Sequence, residues 1–416
     1  MNASADTALL DAPAGPLPLT GRVALVDTLR ALALFGVILM NITSMVMMFM
    51  APAVLERAGL SDMIFGTADL VLLQGKARSC FALLFGVGFG VMLQRAESAG
   101  TGFDRFFLRR MAVLLLFGVF NQVFLFWGDI LALYAIVGAS MLLFRHWSDQ
   151  RLLTAAAILV LGVPVLHGLL ELVFGVLPVA MSAAEAEASA STALAAYQQP
   201  HYGLPVMAAN VSVLVQIWAS DTAYKMVYTC SVLGLFMLGL VIARRGILFN
   251  VEAYRPLLRR VAWIALPLGL VLSVLHATVS FGWEPGMPLA ALVSASYLGL
   301  PLMAFGYVAM FALLLQRRAQ WLVRLLAPAG RMALTNYLVS GILGALVFHG
   351  YGLGLMGKLS MTAMNLLAIG IFLALLAFSH AWLRWFRYGP VEWLWRTLSY
   401  GRAPRMRREQ PVPSVA

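Results

Sequence analysis

Ten long stretches of the chain carry few or no charged side chains, at approximately 28–50, 70–94, 111–127, 130–145, 152–177, 223–243, 257–282, 287–315, 332–349 and 360–384. Each approaches the roughly 20 residues that a helix needs to cross the hydrocarbon of a bilayer. Lipid satisfies no backbone hydrogen bonds, so only helices and closed barrels span it. These runs lack the alternation of barrel strands. The sequence is 62% hydrophobic and only 11% charged, with a mean hydropathy of +0.87, which excludes a soluble enzyme. The fold class predicted is therefore all-α, a polytopic membrane helix bundle of about ten transmembrane helices.

Charge sets the expected direction. With the N-terminus inside, all but five of the 29 basic residues fall on the inner side, the exceptions being Arg57, Lys76, Arg78, Lys225 and Lys358. This skew predicts an N-in/C-in topology with both termini in the cytoplasm. The net charge of +11 is thus accounted for by membrane loops, and no nucleic-acid partner is expected. Residues 1–21 contain no Lys or Arg but three prolines, and read as a disordered cytoplasmic tail rather than a cleaved signal. A single transmembrane domain over 22–400 follows, with an extracytoplasmic cap at 180–222, and 401–416 form a basic cytoplasmic tail.

Within the apolar runs a few polar side chains stand out. Asp129, in FLFWGDILALYAIVG, separates two uncharged stretches and reads either as a helix N-cap or as a functional carboxylate. Asn41 lies about 16 Å along the first helix from Arg30, at 1.5 Å per residue. Together with Asp69, Lys76, Arg78, Asn121, Glu171, His276, Glu284 and His349, it favours the outer half of the bundle. Asp69 and Lys76 read equally as a structural ion pair or a functional one. His349 is followed by Gly350-Tyr351-Gly352-Leu353-Gly354, which permits close backbone approach.

Other patterns point away from soluble chemistry. The six histidines are scattered without metal-ligand spacing, so no metal is expected, and no nucleophile elbow or P-loop is present. Cys80 and Cys230 lie in apolar runs and read as packed hydrophobes. Gly86, Gly88 and Gly90 follow no strand and read as a close helix contact. Arg109-Arg110 and Arg244-Arg245 mark span ends, read either as topology signals or as a clamp for the phosphates of a nucleotide or coenzyme.

Five blocks, taken in order, carry a resemblance. They are Arg22-x₄-Asp27-x₂-Arg30 with LALFGVILMNI, then GKARSCFALLFGVGFG, WGDILALYAIVG, GRMALTNYL and FRYGPVEWLWRTLSYG. Over nearly the whole chain they resemble the YeiB-like proteins, the domain-of-unknown-function 418 family. That family is itself similar to transmembrane acyltransferases of the heparan-glucosaminide N-acetyltransferase kind.

The resemblance implies acyl-CoA entering from the cytoplasm as donor, and a small-molecule or envelope-glycan acceptor on the far side of a bacterial inner membrane. Homodimerisation stays open. By resemblance Asn41 and Asp69 occupy the places of an asparagine and an aspartate in those enzymes. Three departures accompany it: no histidine lies from Ile42 to Ala68, Ala31 follows Arg30 where glycine is usual, and Asn121 stands where a histidine is usual.

The site expected has Asp129 or His349 as base, with Asn41 and Asp69, placed by the resemblance, beside the reacting groups. Lys76, Asn121, Tyr134 and Asn336 would hold substrate, and Arg30, Arg109 and Arg110 the coenzyme phosphates. A small-molecule transporter is the competing expectation, since buried ionisable residues equally mark a transport path. A non-catalytic binding protein is the third.

Overall fold

The computed structural model describes residues 24–174, 183–220, 222–280, 297–317 and 319–408. The expected N-terminal tail, Glu284, the first part of the eighth predicted span and the end of the C-terminal tail lie outside the described residues, and so does the Glu171 side chain. Among the described residues the chain is helical, without strands beyond one isolated bridge between Phe386 and Arg407. The polytopic all-α bundle predicted from the apolar runs is the observed architecture.

The described helices are α1 (Ala24–Leu55), α2 (Leu60–Ala68), α3 (Lys76–Ser98), α4 (Asp104–Phe120), α5 (Leu131–Phe144), α6 (Asp149–Ala157), α7 (Val163–Phe174), α8 (Ala183–Tyr197) and α9 (Leu204–Ser220). They continue with α10 (Thr222–Arg244), α11 (Arg255–Ser280), α12 (Gly299–Arg317), α13 (Gln320–Arg331), α14 (Ala333–Phe348), α15 (Met361–Trp385) and α16 (Pro390–Tyr400). Eight described helical segments are long and apolar enough to cross a membrane, nine if the bent pair α13–α14 counts as one. The shorter α5 completes the correspondence with the ten apolar runs.

The first helix is the axis of the bundle. Of its most apolar window, 78% is buried, against 22% for α11, which turns most of its surface outward. Leu34, Val37 and Ile38 on α1 are fully enclosed. The crossing of α3 and α10 rests on small residues: a Cβ at Gly86 would overlap the Phe236 carbonyl, and one at Gly239 would overlap that of Leu83. The Gly86-x-Gly88-x-Gly90 pattern thus serves helix packing, which in lipid depends on close van der Waals approach.

Among the described residues three spans contain a π-helical turn, at Asp69–Leu73, Asn121–Leu125 and Ile158–Gly162. Such turns widen the helix and free backbone carbonyls, and they recur at functional sites. Two of them begin at residues singled out from the sequence, Asp69 and Asn121. The first is closed by Gly75 at φ 76°, a left-handed conformation that L side chains rarely adopt.

The break before α5 separates two apolar helices. With 14 residues α5 is about 21 Å long at 1.5 Å per residue, short of the roughly 30 Å of bilayer hydrocarbon. Asp129 lies in this break, one residue before the N-cap of α5. Helices α8 and α9 cover this break from the end opposite the basic loops. The Asn210 amide donates to the Val123 carbonyl at 3.0 Å, and the Tyr202 hydroxyl to that of Phe124 at 3.0 Å.

The basic end is fastened by ion pairs. Arg145 meets Asp104 at 2.9 Å and Arg245 meets Asp149 at 2.9 Å, tying the α3–α4, α5–α6 and α10–α11 connections together. After α15 the chain turns through Gly389-Pro390 into α16, and residues 404–408 fold back beside it. Trp393 Nε1 donates to the Pro404 carbonyl at 2.8 Å and Arg387 N to that of Met406 at 2.9 Å.

Candidate functional site

A cavity of about 220 Å³ runs into the bundle from the basic end, between α1, α3, α4, α5, α14 and α16. Its mouth carries Asp27, Arg30, Arg110, Arg331, Glu392, Trp395 and Arg396. Its inner wall is apolar, with Phe81, Leu84, Phe85, Leu114 and Leu131, and ends at Ile130, Tyr134 and Tyr337. The distribution is that of a site for an amphipathic ligand with an anionic head.

The inner end is built by four elements. Tyr337 on α14 donates its hydroxyl proton to Asp129 Oδ1 at 3.0 Å, and its oxygen accepts from Ile130 N at 3.4 Å. Asn121, at the π-turn of α4, donates from Nδ2 to the same Asp129 oxygen at 2.8 Å. The second carboxylate oxygen accepts from Ala132 N at 3.0 Å. Asn41 on α1 is an electrostatic neighbour of the Tyr337 hydroxyl. Asp129 thus caps α5 and also ends a polar chain whose cavity-facing member is Tyr337.

The mouth is organised by α16. Glu392 accepts from Leu334 N at 2.7 Å, Thr335 N at 3.0 Å and the Thr335 hydroxyl at 2.5 Å, so it caps the start of α14. Burial of this carboxyl raises its pKa above the usual glutamate value, against the lowering effect of the Thr335 and Leu334 donors. Trp395 donates its indole proton to the Arg110 carbonyl at 3.0 Å and lays its ring under the Arg110 guanidinium, 3.6 Å from the centroid. Asp27 pairs with Arg30 at 3.0 Å.

The remaining sequence-predicted residues divide between the cavity and its surroundings. Tyr134 lines the cavity and donates to the Arg78 carbonyl at 2.6 Å. Arg109 does not line it and packs instead beside Gly401 at the end of α16. Asn336 is fully buried and bonds Ala329 O at 3.2 Å and Ser379 Oγ at 2.9 Å, joining α13, α14 and α15 behind the cavity.

Asp69 and Lys76 form a separate cluster on the other side of α1. Asp69 Oδ2 accepts from the Thr43 hydroxyl at 2.9 Å, and Lys76, fully buried, donates to the Leu70 carbonyl at 2.7 Å. They are electrostatic neighbours rather than a direct ion pair among the described contacts. Thr43 and Asn41 share one turn of α1, so both polar groups lie at a similar depth. The geometric reason for the separation is the helix between them.

His349 ends α14, twelve residues beyond Tyr337 and so about 18 Å along the helix. It is stacked on Tyr197 of α8 with 4.6 Å between ring centroids, and its Nδ1 lies 3.0 Å from the Tyr351 hydroxyl. These contacts fasten the α8–α9 unit to α14, and they do not bring His349 to Asp129.

Sequence reasoning assigned no role to Tyr337, Glu392, Trp395, Arg331 or Arg396. All five stand in the two C-terminal blocks, GRMALTNYL and FRYGPVEWLWRTLSYG. No spacing rule predicts that α16 folds back beneath α4, which is what brings those residues to the cavity. No group of three or more His, Cys, Asp or Glu able to hold a metal occurs among the described residues.

Comparison with known proteins comes from sequence alone, since no solved structure matches the chain significantly. Residues 242–402 match the model of the family described as protein of unknown function DUF418. The chain is 32% identical over 400 residues to the uncharacterized protein YxaH of Bacillus subtilis, covering 91% of this chain and 94% of that one. It is 28% identical over 388 residues to the uncharacterized protein YeiB of Escherichia coli K12, covering 90% and 95%. A third relative, an uncharacterized 39.9 kDa protein encoded in the amylase 3′ region of Bacillus acidopullulyticus, is 27% identical over 398 residues, covering 93% and 96%.

Proposed function

The chain belongs to the YeiB-like DUF418 family, and we propose that this member is an acyl-CoA-dependent acyltransferase of the bacterial cytoplasmic membrane. The observation that carries this reading is the Tyr337–Asp129 hydrogen bond at the blind end of a cavity with an arginine-rich mouth. Positive-inside topology gives that mouth to the cytoplasm, where acyl-CoA is available. The acceptor is a small molecule or an envelope glycan carrying a hydroxyl or amine.

The chemistry proceeds by proton transfer through a positioned pair. The acceptor heteroatom bonds to the thioester carbonyl carbon while its proton passes to the Tyr337 oxygen and the Tyr337 proton passes to Asp129. The carbon–sulfur bond then breaks, and the leaving thiolate takes a proton back through Tyr337, departing as the coenzyme thiol. Asn121 and Ala132 N hold the carboxylate in place, and Ile130 N, donating to the tyrosine oxygen, orients the hydroxyl. No metal takes part in this scheme.

The test supplies acetyl-CoA carrying an isotopic label in its acetyl group to the purified protein in nanodiscs, with pooled glycans and small amines as acceptors. Mass spectrometry then looks for a labelled acceptor. A label that appears with the native protein and not with Tyr337→Phe supports the proposal, and no labelled acceptor in any pool argues against it. One observation favours a second reading, transport: the buried Asp69–Lys76 cluster is of the kind that carries protons or ions through membranes. Substrate flux in proteoliposomes, lost on Lys76→Met, distinguishes that case.

A further inference from the structure

The cavity mouth gathers arginines. Four arginines, Arg30, Arg110, Arg331 and Arg396, face two acids. Of those acids, Asp27 is engaged by Arg30, and both oxygens of Glu392 are taken up by the start of α14.

Arg110 is the central member. It makes no ion pair among the described residues, and its Nε is sealed from solvent without a hydrogen-bond partner. Arg30 and Arg396 both act on it as repelling like charges. What holds it there is the Trp395 ring beneath its guanidinium and the indole bond to its own carbonyl. A cation–π contact fixes the orientation of a guanidinium but supplies no counter-charge. A buried donor left unpaired is costly, and so is a cluster of like charges at reduced dielectric. Both costs disappear when an anion with several acceptor oxygens binds.

We infer that Arg110, with Arg30 and Arg396, forms a binding site for the phosphoryl group of a phosphate ester or diphosphate, seated on the Trp395 platform. The planar guanidinium fork matches phosphate oxygens in pairs, and a phosphoryl group brings more charge than a single carboxylate. Beyond the arginines, Phe81, Phe85 and Leu114 offer an apolar wall to whatever the phosphoryl group carries. The inference deepens the acyl-transfer reading by giving the donor's phosphates a seat, and rests on that reading only for the donor's identity.

The experiment measures inorganic pyrophosphate binding by calorimetry to the full-length protein in phosphatidylcholine nanodiscs. Saturable binding is expected, weakened about tenfold or more in Arg110→Gln and in Arg396→Gln and unchanged in Arg109→Gln, which lies outside the cavity. Should Arg110→Gln fail to fold, Arg396→Gln carries the comparison. Repeating the titration with phosphatidylglycerol in the disc identifies the natural source. Competition by that lipid assigns the site to a lipid headgroup, and its absence assigns it to a soluble ester. No saturable binding by the native protein, or equal losses in Arg109→Gln and Arg110→Gln, overturns the inference. Pyrophosphate binding without acceptor labelling retains the site and removes acyl transfer.

Discussion

The Tyr337 hydroxyl donates to Asp129 Oδ1 at 3.0 Å across 208 positions of sequence, joining α14 to the break before α5. Tyr337 lines the cavity, whereas Asp129 lies behind it. Substitution of the tyrosine therefore separates chemistry from folding. Tyr337→Phe keeps the ring and removes the proton path, so acceptor-dependent turnover is expected to fall by about 10²–10⁴, the usual contribution of a positioned acid or base. Thermal unfolding should report a loss of only about 1–3 kcal/mol, the cost of one hydrogen bond to a charged group. Turnover within twofold of the native rate would remove Tyr337 from the mechanism.

Asn336 offers the opposite behaviour. Its amide crosslinks Ala329 O and Ser379 Oγ, and the residue does not line the cavity. Asn336→Ala leaves a buried hydroxyl and carbonyl less well partnered, so a stability loss of about 1–3 kcal/mol is predicted. The KM for donor should stay unchanged in the folded fraction. A large KM effect with no stability loss would return Asn336 to the binding site.

His349 belongs to the contact between α8 and α14. His349→Ala removes the Tyr197 stack and the Tyr351 hydrogen bond, so limited proteolysis is expected to cut within the α8–α9 unit sooner than in the native protein. The pH profile of turnover should keep its shape, because His349 lies about 18 Å from Tyr337 along α14. Loss of a titrating limb in the variant would restore His349 as a base.

Glu392 gives stability a predicted dependence on pH. Its folded-state pKa is raised by burial, so the folded protein binds this proton more tightly than the unfolded chain does. The sign follows from linkage: stability falls as pH rises from the ordinary glutamate value towards the raised one. Glu392→Gln retains acceptor capacity at one atom and cannot ionise, so it should flatten that slope in thermal melts run across the acidic range. An identical slope in the variant would assign the dependence to another group.

The α3–α10 crossing tolerates no side chain at Gly86, where a Cβ would overlap the Phe236 carbonyl. Gly86→Leu is expected to lower the yield of folded protein in membranes sharply, since overpacking of even a methylene or two commonly costs about 1–3 kcal/mol. Detergent-resistant yield by size-exclusion chromatography checks this. Native-like yield and melting would show that the helices part without penalty.

How far the sequence spoke depended on the range of the signal. Hydrophobic runs are local and large, so the bundle, its spans and the packing role of Gly86 were legible, and the isolated carboxylate at Asp129 was conspicuous against apolar neighbours. Arg30 and Arg110 were legible as cations near span ends, but charge alone did not tell Arg110, on the cavity, from Arg109, turned towards Gly401. One residue on a helix is a 100° rotation, and which face meets the core is decided by α16 returning beneath α4. Tyr337 and Trp395 were hidden for the same reason, since an aromatic in an apolar helix carries no sign of the partner that a distant segment brings to it. His349 and Asp129 looked alike as isolated polar groups. The length of α14 sets them at different depths.

The most direct test of the account is coenzyme A release from acetyl-CoA by the purified protein in nanodiscs, with acceptors in pools, comparing the native chain with Asp129→Asn. The variant keeps an oxygen to receive Tyr337 and cannot take its proton. Acceptor-dependent thiol release by the native protein, abolished in a variant that melts at nearly the same temperature, is the predicted result. Equal release by both, or none by either while pyrophosphate still binds, would contradict acyl transfer through Tyr337 and Asp129.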